Sequence, residues 1–145
     1  MHALPHSLDR RTLLVGACAG CATLVAGCGG GSDAPATRAT APAGAAPGTL
    51  VRLADLAVGG SVLATAPDGA AVVITRTGEQ TAVGLSSVCT HQGCAVAPRD
   101  GALVCPCHGS RFDAATGAAT RGPAEQPLAA FPVRVEGGDV LPAQA

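Results

Sequence analysis

The sequence has very few aromatic residues. It contains no Trp and no Tyr, and its only Phe residues are Phe112 and Phe131. Because aromatic side chains bury large areas in small domains, a fold made from this chain can form only a modest hydrophobic core. We therefore expect the fold to need a further stabilising link.

An excess of charge of one sign is also absent. The 145 residues carry a formal net charge of −1, and every Lys or Arg position is Arg. Without a basic field we expect no nucleic-acid partner, and without a long acidic run we expect no solvated acidic tail. The sequence also shows no nucleophile–base pair and no phosphate-binding loop. We therefore expect a protein that is not an enzyme on its own.

Cysteine, in contrast, is abundant, and its seven residues form two groups. One group lies in an apolar N-terminal segment and comprises Cys18, Cys21 and Cys28. The other lies in a polar stretch with His91 and His108 and comprises Cys89, Cys94, Cys105 and Cys107. The separation predicts different roles for the two groups.

The N-terminal segment has the order of a secretory signal. Arg10 and Arg11 directly precede an apolar run that reaches Ala26, which is typical of a twin-arginine signal for export of folded proteins. Residues 24–28, Leu-Val-Ala-Gly-Cys, resemble a bacterial lipobox and predict a lipid on Cys28. Two alternatives stay open: a plain signal peptide, or an uncleaved span, although residues 12–26 are fewer than the roughly 20 that a bilayer needs.

These features predict three segments. Residues 1–27 are the signal peptide, residues 28–48 are a flexible linker rich in Gly, Ala and Pro, and residues 49–145 are the folded domain. Lipidation of Cys28 would tether the domain to the extracytoplasmic (periplasmic) face of a bacterial cell membrane. Cys18 and Cys21 would be removed with the signal.

The sequence of the domain predicts short strands. Turn signals such as Pro67-Asp68-Gly69 and Arg99-Asp100-Gly101 separate runs rich in β-branched residues, and no segment shows helical periodicity over ten residues. The predicted strands are residues 51–53, 62–65, 71–75, 82–85, 103–104, 131–135 and 140–141. The pattern indicates an all-β fold of packed antiparallel sheets or a partly open barrel, with a polar insertion at about residues 87–123.

Two short boxes in that insertion carry the chemistry. Cys89-Thr90-His91 and Cys105-Pro106-Cys107-His108 each offer one thiolate and one imidazole. Such a set suits either one tetrahedral zinc ion or a 2Fe-2S cluster. The C-x-H spacing is tighter than zinc sites usually have, but it leaves a zinc-stabilised binding module open.

The boxes C-T-H-x-G-C and C-P-C-H-G-S closely resemble the cluster-binding loops of the Rieske family, as found in quinol-cytochrome c oxidoreductases. Gly122-Pro123-Ala124 resembles the proline loop of that family. The resemblance implies an all-β Rieske domain with a cluster-binding loop subdomain. It further implies one 2Fe-2S cluster per chain with Cys89, His91, Cys105 and His108 as ligands, and a disulfide between Cys94 and Cys107.

The resemblance also implies how the cluster potential is tuned. Ser110 occupies the position where high-potential members donate a hydroxyl hydrogen bond to a cluster sulfide. Phe112 occupies the position where those members usually have a Tyr that donates to a ligand sulfur. We therefore expect a lower potential than in the quinol-oxidising members.

The resemblance implies electron transfer as the function. We expect an exported carrier that passes one electron at a time from a quinol or membrane oxidoreductase to a cytochrome or copper protein. A ferredoxin component of an oxygenase is the alternative within electron transfer. Cys94 and Cys107 argue against it, because such ferredoxins usually lack this pair.

Overall fold

The computed structural model describes residues 45–143, which form eleven short strands and one 3₁₀ turn. The segment predicted as a signal peptide, the predicted lipidation site Cys28 and most of the predicted linker lie outside the described residues. The 3₁₀ turn is Leu53–Asp55. The strands are β1 (Val51–Arg52), β2 (Ser61–Thr65), β3 (Ala71–Arg76), β4 (Ala82–Ser86), β5 (Ala97–Arg99), β6 (Ala102–Val104), β7 (Arg111–Asp113), β8 (Ala119–Arg121), β9 (Ala130–Phe131), β10 (Val133–Glu136) and β11 (Asp139–Pro142).

The strands form three antiparallel sheets. One sheet has the order β1-β11-β10, the second β2-β3-β4-β9, and the third β5-β6-β7-β8. The prediction of an all-β fold of packed antiparallel sheets is confirmed. In the part of the chain that the structure describes, no helix is long and apolar enough to cross a membrane.

Two hairpins have tight two-residue turns, one of them at the predicted turn Arg99-Asp100-Gly101. Gly137 and Gly138 lie between the paired residues Glu136 and Asp139, with φ angles of 58° and 87°. A two-residue turn of this kind needs positive φ at both central positions, which glycine adopts without steric cost. Asp100, with φ of 50°, and Gly101 make the corresponding turn between β5 and β6.

The predicted strand at residues 131–135 is divided in the structure. Strand β9 ends at Phe131 and pairs with β4, whereas β10 begins at Val133 and pairs with β11 in a different sheet. Pro132 separates them because it has no backbone N–H to donate to a sheet. The division lets the chain pass from one sheet to the next.

Strand β3 separates two hydrophobic clusters. Its residues Val72 and Ile74 face a cluster with β1 and β11, which we call the sheet core: Leu50, Val51, Leu53, Ala64, Ala66, Val72, Ile74 and Val140. Val73 faces the other cluster, which we call the site core: Val73, Leu85, Cys89, Val96, Leu103, Cys105, Phe112, Ala114, Ala124 and Leu128. The site core joins the β2–β9 sheet to the β5–β8 sheet and contains two cysteines.

Candidate metal centre

The first box forms a closed six-residue loop, residues 89–94. The Cys89 N–H donates to the Cys94 carbonyl at 2.8 Å, and the Gly93 N–H donates to the Cys89 carbonyl at 2.8 Å. Gly93 has a φ of 75°, and a Cβ atom there would meet nothing within 4 Å. Glycine is therefore required by the backbone conformation rather than by crowding.

The second box, residues 105–110, closes in the same way. The Cys105 N–H donates to the Ser110 carbonyl at 2.9 Å, and the Gly109 N–H donates to the Cys105 carbonyl at 3.0 Å. Gly109 has a φ of 74°. Each loop thus begins with a cysteine, has a left-handed glycine at its fifth position and closes on its sixth. The two boxes have similar sequences because their backbones adopt a similar conformation.

A disulfide between Cys94 and Cys107 links the two loops. Their Cα atoms are 6.5 Å apart, and thirteen positions separate them in the sequence. This pairing, which the resemblance implied, is confirmed. The bond fixes the loops relative to each other where they have few apolar contacts of their own.

The predicted ligands divide into an inner and an outer pair. Cys89 and Cys105 are free thiols, each 2% exposed, and both belong to the site core. His91 and His108 are exposed, and their ring centroids lie 4.9 Å apart in an edge-to-face arrangement. The two loops therefore present thiols inward and adjacent imidazoles outward. This donor set fits a 2Fe-2S cluster with one iron on cysteines and one on histidines.

Two further cysteine sulfurs lie close to that of Cys105 and do not add ligands. The sulfur atoms of Cys94, Cys105 and Cys107 lie within 4.8 Å of one another. Cys94 and Cys107 are bonded to each other, so neither offers a thiolate to a metal ion. Their closeness shows instead that the disulfide packs beside the Cys105 thiol.

The predicted proline loop is hydrogen-bonded to both boxes. The Ala124 N–H donates to Ser110 Oγ at 3.0 Å, and the Thr90 hydroxyl donates to the Gln126 carbonyl at 2.7 Å. Ser110 and Ala124 are buried, and the Gly122–Pro123 peptide bond is cis. Residues 122–126 therefore form a third wall beside the two loops.

The two predicted tuning residues lie next to the predicted ligands. Ser110 is fully buried at the end of the second loop, and its hydroxyl oxygen accepts the Ala124 N–H. Because the oxygen is the acceptor of this hydrogen bond, the hydroxyl hydrogen of Ser110 can donate to another group. Phe112 is fully buried in the site core and pairs with Leu103 in the sheet. The tuning roles themselves stay predictions.

Sequence reasoning missed the turn that follows β7. The Asp113 carboxylate accepts hydrogen bonds from the Thr116 hydroxyl at 2.8 Å, the Thr116 N–H at 2.8 Å and the Ala115 N–H at 3.0 Å. The hydroxyl bond is the main cause that lowers the pKa of Asp113 below 3.8, and burial opposes it slightly. An Asp followed by Thr three positions later was the available signal.

Comparisons with known proteins agree with this geometry. Residues 49–132 match the model of the Rieske [2Fe-2S] domain. The chain is 41% identical over 101 residues to the cytochrome b6-f complex iron-sulfur subunit of Gloeobacter violaceus, a match that covers 68% of this chain and 50% of that protein. The matched segments span between about a third and a half of the length of the curated relatives.

Two solved structures show the same fold. The plasma membrane Rieske protein of the cyanobacterium Synechocystis PCC 6803 is 30% identical, with a TM-score of 0.57 over 66% of this chain and 98% of that one. The ferredoxin of carbazole 1,9a-dioxygenase from Nocardioides aromaticivorans is 28% identical, with a TM-score of 0.54 over 67% and 96%. Taken with the inward thiols and outward imidazoles, the family match shows that this chain belongs to the Rieske [2Fe-2S] domain family.

Proposed function

We propose that the chain is an exported, membrane-tethered electron carrier that holds one 2Fe-2S cluster on Cys89, His91, Cys105 and His108. The observation that carries this proposal is the contrast in exposure between buried thiols and adjacent surface imidazoles. When bound, such a cluster supplies reversible one-electron chemistry at a potential within roughly −150 to +300 mV.

The surrounding residues perform three tasks for such a carrier. The site core keeps water from Cys89 and Cys105 and would protect the two thiolates that we propose as ligands of one iron. The disulfide and the residues 122–126 keep the loops in one arrangement, so that little reorganisation accompanies a change of charge. The exposed His91 and His108 leave one side open to a redox partner.

The proposed partners are a quinol or membrane oxidoreductase as donor and a cytochrome or copper protein as acceptor. The subunit of Gloeobacter violaceus is named for a cytochrome b6-f complex, which supports this class. The similarity to a dioxygenase ferredoxin supports the alternative function, a ferredoxin component of an oxygenase. The disulfide between Cys94 and Cys107 favours the first class.

Stopped-flow oxidation tests the proposed function. Dithionite-reduced protein should transfer one electron per chain to a c-type cytochrome, and the cluster-free C89S/C105S variant should transfer none. A colourless protein with stoichiometric zinc would contradict the proposal and favour a zinc-stabilised binding module. A loaded protein that reduces an oxygenase but no cytochrome would favour the ferredoxin alternative.

The export and anchoring proposals rest on the sequence of the first 48 residues. We propose that residues 1–27 direct export, that Cys28 carries a lipid, and that residues 28–48 tether the domain at residues 49–145 to the periplasmic side of the membrane. The variant Cys28→Ala should release the domain from membranes, while the matched control Cys21→Ala should not. Unchanged membrane retention of Cys28→Ala would contradict the anchor.

A further inference from the structure

Arg111 and Arg121 of the β5–β8 sheet differ from the arginines of the other two sheets, whose side chains have hydrogen-bond or ion-pair partners. Arg52 lies 3.6 Å from the Asp139 carboxylate, and Arg134 lies 2.7 Å from that of Glu136. Arg76 donates to four backbone carbonyls. Within residues 45–143, the side chains of Arg111 and Arg121 have no hydrogen bond or ion pair.

A β-bulge places these two arginines opposite each other. Phe112 pairs with Ala119, so regular pairing would put Thr120 opposite Arg111, yet Arg111 pairs with Arg121. The Thr120 hydroxyl donates to the Arg111 carbonyl at 3.2 Å and holds the extra residue in place. Like charges directly opposite each other destabilise a sheet. Bulges commonly redirect side chains next to functional sites.

The pair lies beside the second ligand loop, with Arg121 exposed and Arg111 half-buried. Arg111 directly follows that loop, and Arg121 directly precedes Gly122. Phe112 points into the site core, so Arg111 points to the opposite face of the sheet. Arg111 lies three positions after the exposed His108, so their Cα atoms are at most about 11 Å apart. A macromolecule that contacts His108 therefore comes within reach of the guanidinium groups.

We infer that Arg111 and Arg121 bind a carboxylate-rich surface of the redox partner protein and orient it over His91 and His108. This inference rests on the proposed function as an electron carrier. Guanidinium groups bind carboxylates through two parallel hydrogen bonds, which fixes orientation as well as adding attraction. The described residues contain more Asp and Glu than Arg, so the domain is weakly acidic and the pair brings two positive charges together on it. The nearby Asp113 carboxylate is hydrogen-bonded to Thr116 and Ala115.

A partner protein fits this site better than a membrane surface does. Electron exchange requires His91 and His108 to be approached by a redox centre, and a lipid surface held by the neighbouring arginines would cover that side. An acidic protein held by the same arginines would place its own redox centre close to the imidazoles. Charge complementarity of this kind raises association rates by about 10- to 1,000-fold at low salt.

The test compares R111Q/R121Q with the control R52Q/R134Q, which removes the same charge from the three-stranded sheet. Each protein, at equal cluster content, is reduced and mixed with either an acidic or a basic c-type cytochrome. At about 20 mM ionic strength, R111Q/R121Q should reduce the acidic cytochrome about tenfold more slowly than wild type, and the control should change less than twofold. At about 500 mM, where charges are screened, the difference should vanish.

Two further variants separate charge from folding. R111K/R121K keeps both charges and should retain at least half of the wild-type rate. Arg121→Gln changes only an exposed side chain and should lower the rate about threefold without loss of cluster. With the basic cytochrome, R111Q/R121Q should be as fast as wild type or faster. An unchanged rate with the acidic cytochrome, or an equal loss in R52Q/R134Q, would overturn the inference.

Binding measured without electron transfer distinguishes this inference from the proposed function. Calorimetric titration with the acidic cytochrome at about 20 mM ionic strength should show about tenfold weaker affinity for R111Q/R121Q. If that loss is seen but neither cytochrome is reduced, the binding surface stands and the carrier proposal fails. If vesicles of anionic phosphatidylglycerol retain the wild type, release R111Q/R121Q, and the cytochrome affinities do not differ, the surface binds lipid and the inference is wrong.

Discussion

The variant Ser110→Ala removes a buried hydroxyl for which the structure predicts two separable effects. Ser110 is fully buried, and its oxygen accepts the Ala124 N–H at 3.0 Å in a segment where Ala124 is only 4% exposed. Without that oxygen the N–H is left unpaired in the interior, which costs about 1–3 kcal/mol of the free energy of unfolding. For a domain of roughly 100 residues this corresponds to a fall in Tm of roughly 4–20 °C.

The second effect concerns the cluster potential. Because Ser110 Oγ accepts from Ala124, its hydrogen is available for the cluster sulfide that the family resemblance assigns to it. Such a bond stabilises the reduced cluster more than the oxidised one, because reduction adds negative charge. A difference of about 1.4 kcal/mol corresponds to about 59 mV for one electron. We therefore expect Ser110→Ala to lower the midpoint potential by roughly 60 mV.

Thermal unfolding followed by circular dichroism and protein-film voltammetry measure the two effects. The control Ser61→Ala removes a part-buried hydroxyl that lies 2.8 Å from Thr75 Oγ1 in the β2–β3 pair, away from both loops. It should cost about 1 kcal/mol and leave the potential unchanged. If Ser110→Ala lowers the Tm but shifts the potential by less than about 10 mV, the hydroxyl only holds Ala124 and its tuning role is refuted.

Three further substitutions test the roles of Phe112, the disulfide and Asp113. Phe112→Tyr should raise the midpoint potential by roughly 60 mV, because a phenol can donate to a ligand sulfur, and voltammetry that shows no rise would refute this. The variant C94A/C107A should lower the free energy of unfolding in urea by about 3 kcal/mol, given the thirteen-position separation, whereas a negligible loss would contradict the bracing role. Asp113→Ala should cost about 0.5–1 kcal/mol at pH 7. Since hydrogen bonds lower the folded pKa of Asp113 below its unfolded value of 3.8, this difference should shrink as pH falls below 3.8 and through the folded value. A cost that does not shrink in that range would contradict these hydrogen bonds.

The sequence predicted the strands of the β1-β11-β10 and β2-β3-β4-β9 sheets well and those of the β5-β6-β7-β8 sheet poorly. Strands such as β3 and β4 are rich in β-branched residues and bounded by turn signals, so their pattern alone identifies them. Strands β5, β7 and β8 each have three residues and include Pro98 or charged side chains, so no local pattern marks them. They form because neighbouring strands and the linked loops hold them in register, which is a tertiary effect.

The candidate site was predictable to the level of residue type and spacing. Cysteine and histidine in two tight boxes indicate a metal centre, and the resemblance to a family supplied the disulfide pairing. The bonds that fix the third wall could not be predicted. Ser110 meets Ala124 across 14 positions, and Thr90 meets Gln126 across 36. Such contacts depend on how the sheets bring distant segments together rather than on local sequence.

Two cysteines and two histidines of this chain are proposed to hold a 2Fe-2S cluster. Electron–nuclear double resonance on the dithionite-reduced protein labelled with 15N-histidine tests this ligand set, together with iron and acid-labile sulfide analysis. We predict equal amounts of iron and sulfide, coupling from two histidine nitrogens in the wild type, and loss of that pattern in His91→Ala and in His108→Ala. Iron without nitrogen coupling, or zinc in place of iron, would contradict the ligand assignment.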